Sequence, residues 1–200
     1  MAQTPSASAN SVLLEDNKKN ANLKTLFSKM KNVYYNSDPV TKTAFASGVV
    51  CELELPVLDG GVTLNTGTPD KTEIKLTTGE IWVSRAEKGD SDISFQVASI
   101  DGAINDLFLT KQTSASISGV SLMNLGTFAG ESYALDQKKA TGSLILTDDD
   151  GVTAIVLPNV EMYGGLVVGD GDNPAYFDVT VTPLANADGA SIIILHKTGA

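Results

Sequence analysis

From Gly48 onward the apolar side chains recur at every second position, and this period governs what the chain can become. Val49, Cys51, Leu53, Leu55 and Val57 alternate with Glu52 and Glu54, the pattern of a strand with one apolar and one acidic face. Strand signals return at 72–77, 80–84 and 92–100, where Ile93, Phe95 and Val97 share a face, and more weakly at 115–122. Runs 143–147 and 152–160 flank the turn Asp148, Asp149, Asp150, Gly151. Runs 163–168 and 175–182 flank a second turn containing Asp170, Asp172 and Asn173, and 190–195 closes the chain as an apolar strand. A single short helix is expected at 101–109, where Ile104, Leu107 and Phe108 stand at helical spacing. About nine strands at regular spacing predict a mainly β protein, a β-sandwich or barrel with one short flanking helix and a helical N-terminal arm.

The arm reads differently from the body. Leu23, Leu26, Phe27, Met30 and Val33 fall at i, i+3, i+4, i+7 and i+10, which predicts an amphipathic helix over about 20–32, ended by Asn36-Ser37-Asp38-Pro39. Residues 1–47 are expected to form this arm and residues 48–200 the β-domain. A helix this short is marginal alone, so its stripe of Leu23, Leu26, Phe27 and Met30 is expected to dock on a neighbouring subunit. On that reading, removal of residues 1–36 leaves a folded body. The segment 59–70, with Asp59, Gly60, Gly61, Leu64 and Asp70, is turn-rich and reads as a long exposed hairpin or loop available for stacking.

Charge divides along the same line. Residues 1–42 carry six lysines against three acids, and the rest carry eight basic against 21 acidic groups. A basic arm precedes an acidic body, and the net charge of −10 argues against a protein that grips nucleic-acid phosphates. No apolar run exceeds Ile192 to Leu195, far below the roughly 20 residues a membrane helix needs, and no signal peptide is expected from the N-terminal residues. With a single cysteine there is no internal disulfide framework.

Motifs that carry chemistry are sparse. His196 has no nucleophile elbow to serve, and Cys51 reads as a small hydrophobe of its strand. Glu52 and Glu54 are two acids on one solvated strand face rather than a glycosidase pair. The acidic turns at 148–151 and 170–173 lack the spacing and closing glutamate of a calcium loop, so turn chemistry explains them. No catalytic residue, metal site or cofactor is expected.

Two stretches carry a resemblance. The first is 95–108, FQVASIDGAINDLF, a strand running straight into a short helix; the second is 176–195, YFDVTVTPLANADGASIIIL, two strands about a turn. Both resemble the major tail tube proteins of tailed bacteriophages, and in order of elements the similarity covers residues 48–195. The resemblance implies a virion structural protein, assembled in the host cytoplasm and located in the tail. It implies hexameric rings stacked into a tube, contact with other tail proteins, and DNA passing without specific binding. It places Glu52 and Glu54 as candidate lumen-lining acids and transfers no catalytic residue. The long N-terminal segment departs from the family's commonest form. The competing class is a β-sandwich binding module for carbohydrate or a host surface, for which a chain with the single tryptophan Trp82 offers few stacking aromatics.

Overall fold

A computed structural model describes residues 30–87, 89–98, 102–148, 151, 153–168 and 174–197, with the side chains of Lys31, Ser114 and Ala115 excepted. The fold is mainly β, 61% strand and 10% helical. Eleven strands are described: β1 Met30–Asn36, β2 Leu53–Asn65, β3 Asp70–Lys75, β4 Ile81–Glu87, β5 Asp92–Ala98, β6 Thr110–Ser121, β7 Thr127–Ala134, β8 Lys139–Asp148, β9 Thr153–Val167, β10 Tyr176–Pro183 and β11 Ile193–His196. Two helices join them, α1 Lys42–Ser47 and α2 Gly102–Phe108, with a short 3-10 turn at Met123–Leu125.

Six strands close on themselves in the order β10, β5, β2, β1, β8, β9, because β9 also pairs with β10. Every pairing is antiparallel, and β11 adds to the free part of β9. Of the two architectures expected from the sequence, the chain adopts the closed barrel. A barrel of this size is filled by side chains. Val33, Leu55, Val97, Leu144, Leu146, Val160, Met162, Phe177 and Val179 are buried to 1% exposure or less and belong to one cluster. The period of two places them inside: Val33 pairs with Leu55 on one side and with Leu146 on the other.

Alternation of direction gives the barrel two distinct ends. At one lie Met30, Asn65, Asp92, Asp148, Thr153, Pro183 and His196; at the other lie Asn36, Leu53, Ala98, Lys139, Val167 and Tyr176. The second end is closed by α2, which follows β5 and buries Ile104 and Phe108. The Phe108 ring stands 5.2 Å from that of Phe177. Gly164 makes the seat: a Cβ there would lie 2.6 Å from the Phe108 ring.

Several sequence expectations are corrected here. Leu23, Leu26 and Phe27 lie outside the described residues, but Met30 to Asn32, the expected end of a helix, begin β1. Met30, expected on an exposed apolar stripe, is 8% exposed and packs inward within the core cluster. The spacing of Met30 and Val33 suits a helix, yet Val33 and Tyr35 also alternate, and pairing with β2 and β8 on both sides decides for the strand. The body therefore takes in Met30–Asn36, upstream of the expected boundary at residue 48, and residues 1–36 include a central barrel strand. Residues 59–65 are not a loop either. They continue β2 across a bulge between Val57 and Val62, and Leu64 packs against the core as the partner of Ile93. Gly61 sits at φ 70 there, with space for a Cβ limited by the Met30 carbonyl at 3.4 Å. The runs 152–160 and 163–168 are one continuous strand, β9.

Helix α1 was not expected. Its start is a Thr41 N-cap whose hydroxyl accepts from the Ala44 amide at 3.4 Å. The segment before it is held to the outer wall: the Val40 amide donates to the Pro158 carbonyl at 2.8 Å, and Asn186 Nδ2 donates to the Val40 carbonyl at 2.8 Å.

Candidate assembly surface

Two hairpins stand apart from the barrel as separate two-stranded sheets, β3–β4 and β6–β7. The first is rooted on Asn65 and Asp92, which are cross-strand partners; the second follows α2 at the other end of β5. Strand β5 thus runs from one root to the other.

The β6–β7 hairpin has two unlike faces. Partners across the strands share a face, so Ile117, Val120 and Phe128 lie together, opposite Lys111, Ser116, Ser121, Thr127, Glu131 and Tyr133. The extra residue between Ile117 and Val120 is accommodated by Gly119 at φ 68, a glycine bulge that preserves this segregation. The apolar face is open, with Phe128 45% exposed. The tip is more so: Met123 is 96% and Leu125 78% exposed. A tight turn presents them, the Leu125 amide donating to the Leu122 carbonyl at 2.9 Å. The β3–β4 hairpin likewise exposes Ile74, Leu76, Ile81, Trp82 and Val83, here among charged neighbours such as the pair Arg85 and Glu87 at 3.2 Å.

Sequence reasoning missed the β6–β7 surface. The signal was present: the 19 residues from Gln112 to Gly130 contain no charged side chain and no proline. Free sheet edges are ordinarily protected by those residues, and their lack marks an edge available for pairing.

At its base the hairpin is tied to α2. Tyr133 Oη stands 2.8 Å from Glu131 Oε2 and 2.9 Å from Asp106 Oδ1, so one proton serves two carboxylates. Lys111 Nζ donates to Glu131 Oε1 and lies 3.8 Å from Asp106 Oδ2, while Lys138 Nζ donates to the Asp106 carbonyl. The hydrogen bond from Lys111, and then that from Tyr133, hold the Glu131 carboxyl below the usual carboxylate range. The bond to Glu131, then burial, push the Tyr133 phenol well above its ordinary value, and the bond to Glu131 raises Lys111. A depressed carboxyl contributes above its unfolded pKa and loses that contribution as pH falls through the folded one. Raised Tyr133 and Lys111 contribute below their unfolded values and lose it as pH rises. The tie therefore holds between the carboxylate and tyrosine ranges. In a phenolate absorbance titration, Glu131→Gln is expected to lower the pH at which one tyrosine ionises; an unchanged curve would show that the tie does not form.

The remaining sequence candidates are scattered. Glu52 lies just before β2, accepting from the Ser37 amide at 3.2 Å and hydroxyl at 2.8 Å, and Glu54 is exposed on the outer wall beside Asn32, Pro56 and Asp59. Asp59, Gly60 and Asp70 are exposed, but Leu64 is turned inward. Cys51 is half-buried, which pushes its thiol up. His196 is exposed at the end of β11. Asp148 is buried, its Oδ1 accepting from the Thr153 amide at 3.3 Å, which closes the β8–β9 turn. Asp149, Asp150, Asp170, Asp172 and Asn173 lie outside the described residues. Among the described residues no group of histidine, cysteine and carboxylate side chains is placed to hold a metal ion, and no helix is long and apolar enough to cross a membrane.

Comparison with protein-family models, with curated proteins and with solved structures returns no match for this chain.

Proposed function

We propose that this protein is a structural subunit that assembles with copies of itself into stacked rings, a tube of the kind built by phage tail tube proteins and serving as a conduit for DNA. The observation that carries the reading is the pair of exposed apolar hairpins rooted at opposite ends of β5. An isolated two-stranded hairpin is marginally stable in water, and each gains most by adding its free edges and apolar face to those of another copy. Because the two hairpins of one chain are separated by the barrel, such contacts join unlike surfaces of neighbouring copies, and contacts of that type close into rings or run on as filaments. The net charge of −10 suits a conduit, since an acidic wall does not hold phosphates.

A binding module remains the second reading because Trp82 is 68% exposed. Against it, the exposed apolar side chains of both hairpins are mostly aliphatic, which suits packing between proteins better than stacking on sugar rings.

The test is assembly. Light scattering and electron microscopy of the purified chain are expected to show concentration-dependent multimers and hollow tubes, with no retention of duplex DNA at physiological salt. Met123→Asp with Leu125→Asp is expected to leave a folded monomer, because both side chains are exposed in the single chain. A wild-type protein that stays monomeric at high micromolar concentration would overturn the reading.

A further inference from the structure

Strand β11 is the edge of its sheet. Strand β9 is paired along one side by β8; on its other side β10 takes the stretch from Val160 to Val167 and β11 the stretch from Thr153 to Val156. Strand β11 therefore continues the line of β10. Strand β5 flanks β10 as far as the pair Val181 and Ile93, and β11, beyond that point, ends the strand order. Its outer edge is unprotected: Gly189 to Leu195 holds no charged side chain and no proline, the residues that ordinarily guard such an edge. Ile194 shares the inner face with its partner Ile155, which is 6% exposed, yet is itself 51% exposed. Leu64, the inward partner of Ile93, is only half-buried at the same end of the barrel.

The two hairpins also carry open edges. Those of β3–β4 are charged, with Lys71, Glu73 and Lys75 on one strand and Arg85 and Glu87 on the other. Laid against the apolar edge of β11, such groups lose water without gaining a partner. The β6–β7 hairpin matches instead, since it is uncharged from Gln112 to Gly130. Every residue from Ser116 to Glu131 is exposed, so this part of the hairpin covers nothing of its own barrel. Its root follows α2 at one end of the barrel, whereas β11 lies at the other. A contact between the hairpin of one copy and β11 of another is therefore head-to-tail, and it can repeat from copy to copy.

We propose that the β6–β7 hairpin of one copy adds to the free edge of β11 in the next, with Ile117, Val120 and Phe128 turned to the side of Ile194 and Leu64. This rests on the reading of the chain as a self-assembling subunit and names the surface through which successive copies join. Main-chain hydrogen bonds along the edge supply affinity, and the apolar face of the hairpin selects which side it presents. Two hairpins paired with each other would make a symmetric contact that closes on itself and leaves Ile194 uncovered.

The test mixes two variants of the full chain, both with Cys51→Ser: one with Val120→Cys and ¹⁵N-labelled, the other with His196→Cys and unlabelled. A short bis-maleimide is added at a concentration where light scattering records multimers. The expected result is cross-linked dimers mostly of mixed isotopic mass, in several-fold higher yield than dimers of either variant with itself. Multimers whose cross-links join only the Val120→Cys variant to itself would assign the hairpin to another hairpin. Multimers without cross-links would place the joint elsewhere. Either outcome overturns the proposal and leaves self-assembly standing, whereas a chain that is monomeric at high micromolar concentration overturns both. In an otherwise unchanged chain, Ile194→Lys is expected to raise the concentration at which multimers form several-fold, with the far-ultraviolet circular dichroism unchanged. An unaltered onset of assembly in that variant would also overturn the proposal.

Discussion

A chain that begins at residue 37 is expected to be unfolded, while one that begins at residue 20 keeps a cooperative transition. The reason is the place of β1 between β2 and β8, both of which it pairs along its length. Without it the barrel opens and two long strands are left with bare edges. Met30, Val33 and Tyr35 are each 8% exposed or less, and full burial of such side chains contributes about 1.5–3 kcal/mol apiece. Their loss, about 5–9 kcal/mol, is comparable with the whole stability of a domain, about 5–15 kcal/mol. Far-ultraviolet circular dichroism and urea unfolding of the two truncations check this. A near-native transition for the chain starting at residue 37 would mean that β1 is dispensable.

The same strand shows where the sequence was legible and where it was not. Period two exposes most of the barrel: the spacing of Ile93, Phe95 and Val97 puts them on one face and all three are buried, and the β8–β9 and β9–β10 hairpins fall at the acidic turns. Helix α2 also lies where Ile104 and Phe108 predicted it. In β1 two periods compete. Met30 and Val33 fit a helix, Val33 and Tyr35 fit a strand, and only long-range pairing with Leu55 and Leu146 settles the matter. Closure of the sheet is of the same kind, because the pairings of β1 with β8 and of β5 with β10 join strands far apart in sequence and have no local signature.

The segment 59–65 is misread for a related reason. Asp59, Gly60 and Gly61 carry strong turn chemistry, so 59–70 read as a loop. In the barrel those residues form the bulge that bends β2, and the strand resumes at Val62 to pair with Phe95. The exposed β6–β7 hairpin follows instead from what is missing, charge and proline over 112–130, and a reading tuned to residues that are present passes over such a stretch.

The largest single-residue effect is expected where α2 meets the barrel. Phe108 is fully buried and is the plug of its end, so Phe108→Ala is expected to cost about 3–5 kcal/mol, the range for emptying an aromatic site in a core. From the other side, Gly164→Leu places carbon where the Phe108 ring already lies, 2.6 Å from the position of a Cβ. Gly164 has no left-handed backbone to strain a larger residue, so the cost is one of space, about 1–3 kcal/mol or more for an overpacked core. The two changes are opposite in volume and meet at one point. Combined, the leucine occupies room that the ring has left, and the double variant is expected to be more stable than the sum of the single losses by about 0.5–3 kcal/mol, the coupling of residues in contact. Urea unfolding of the four proteins gives that coupling directly. If the losses add, Phe108 does not sit on Gly164, and α2 closes the barrel by some other contact. A coupling of the expected sign fixes α2 against β9. With Asp106 on the same helix bonded to Tyr133, it then also fixes the root from which the β6–β7 hairpin projects.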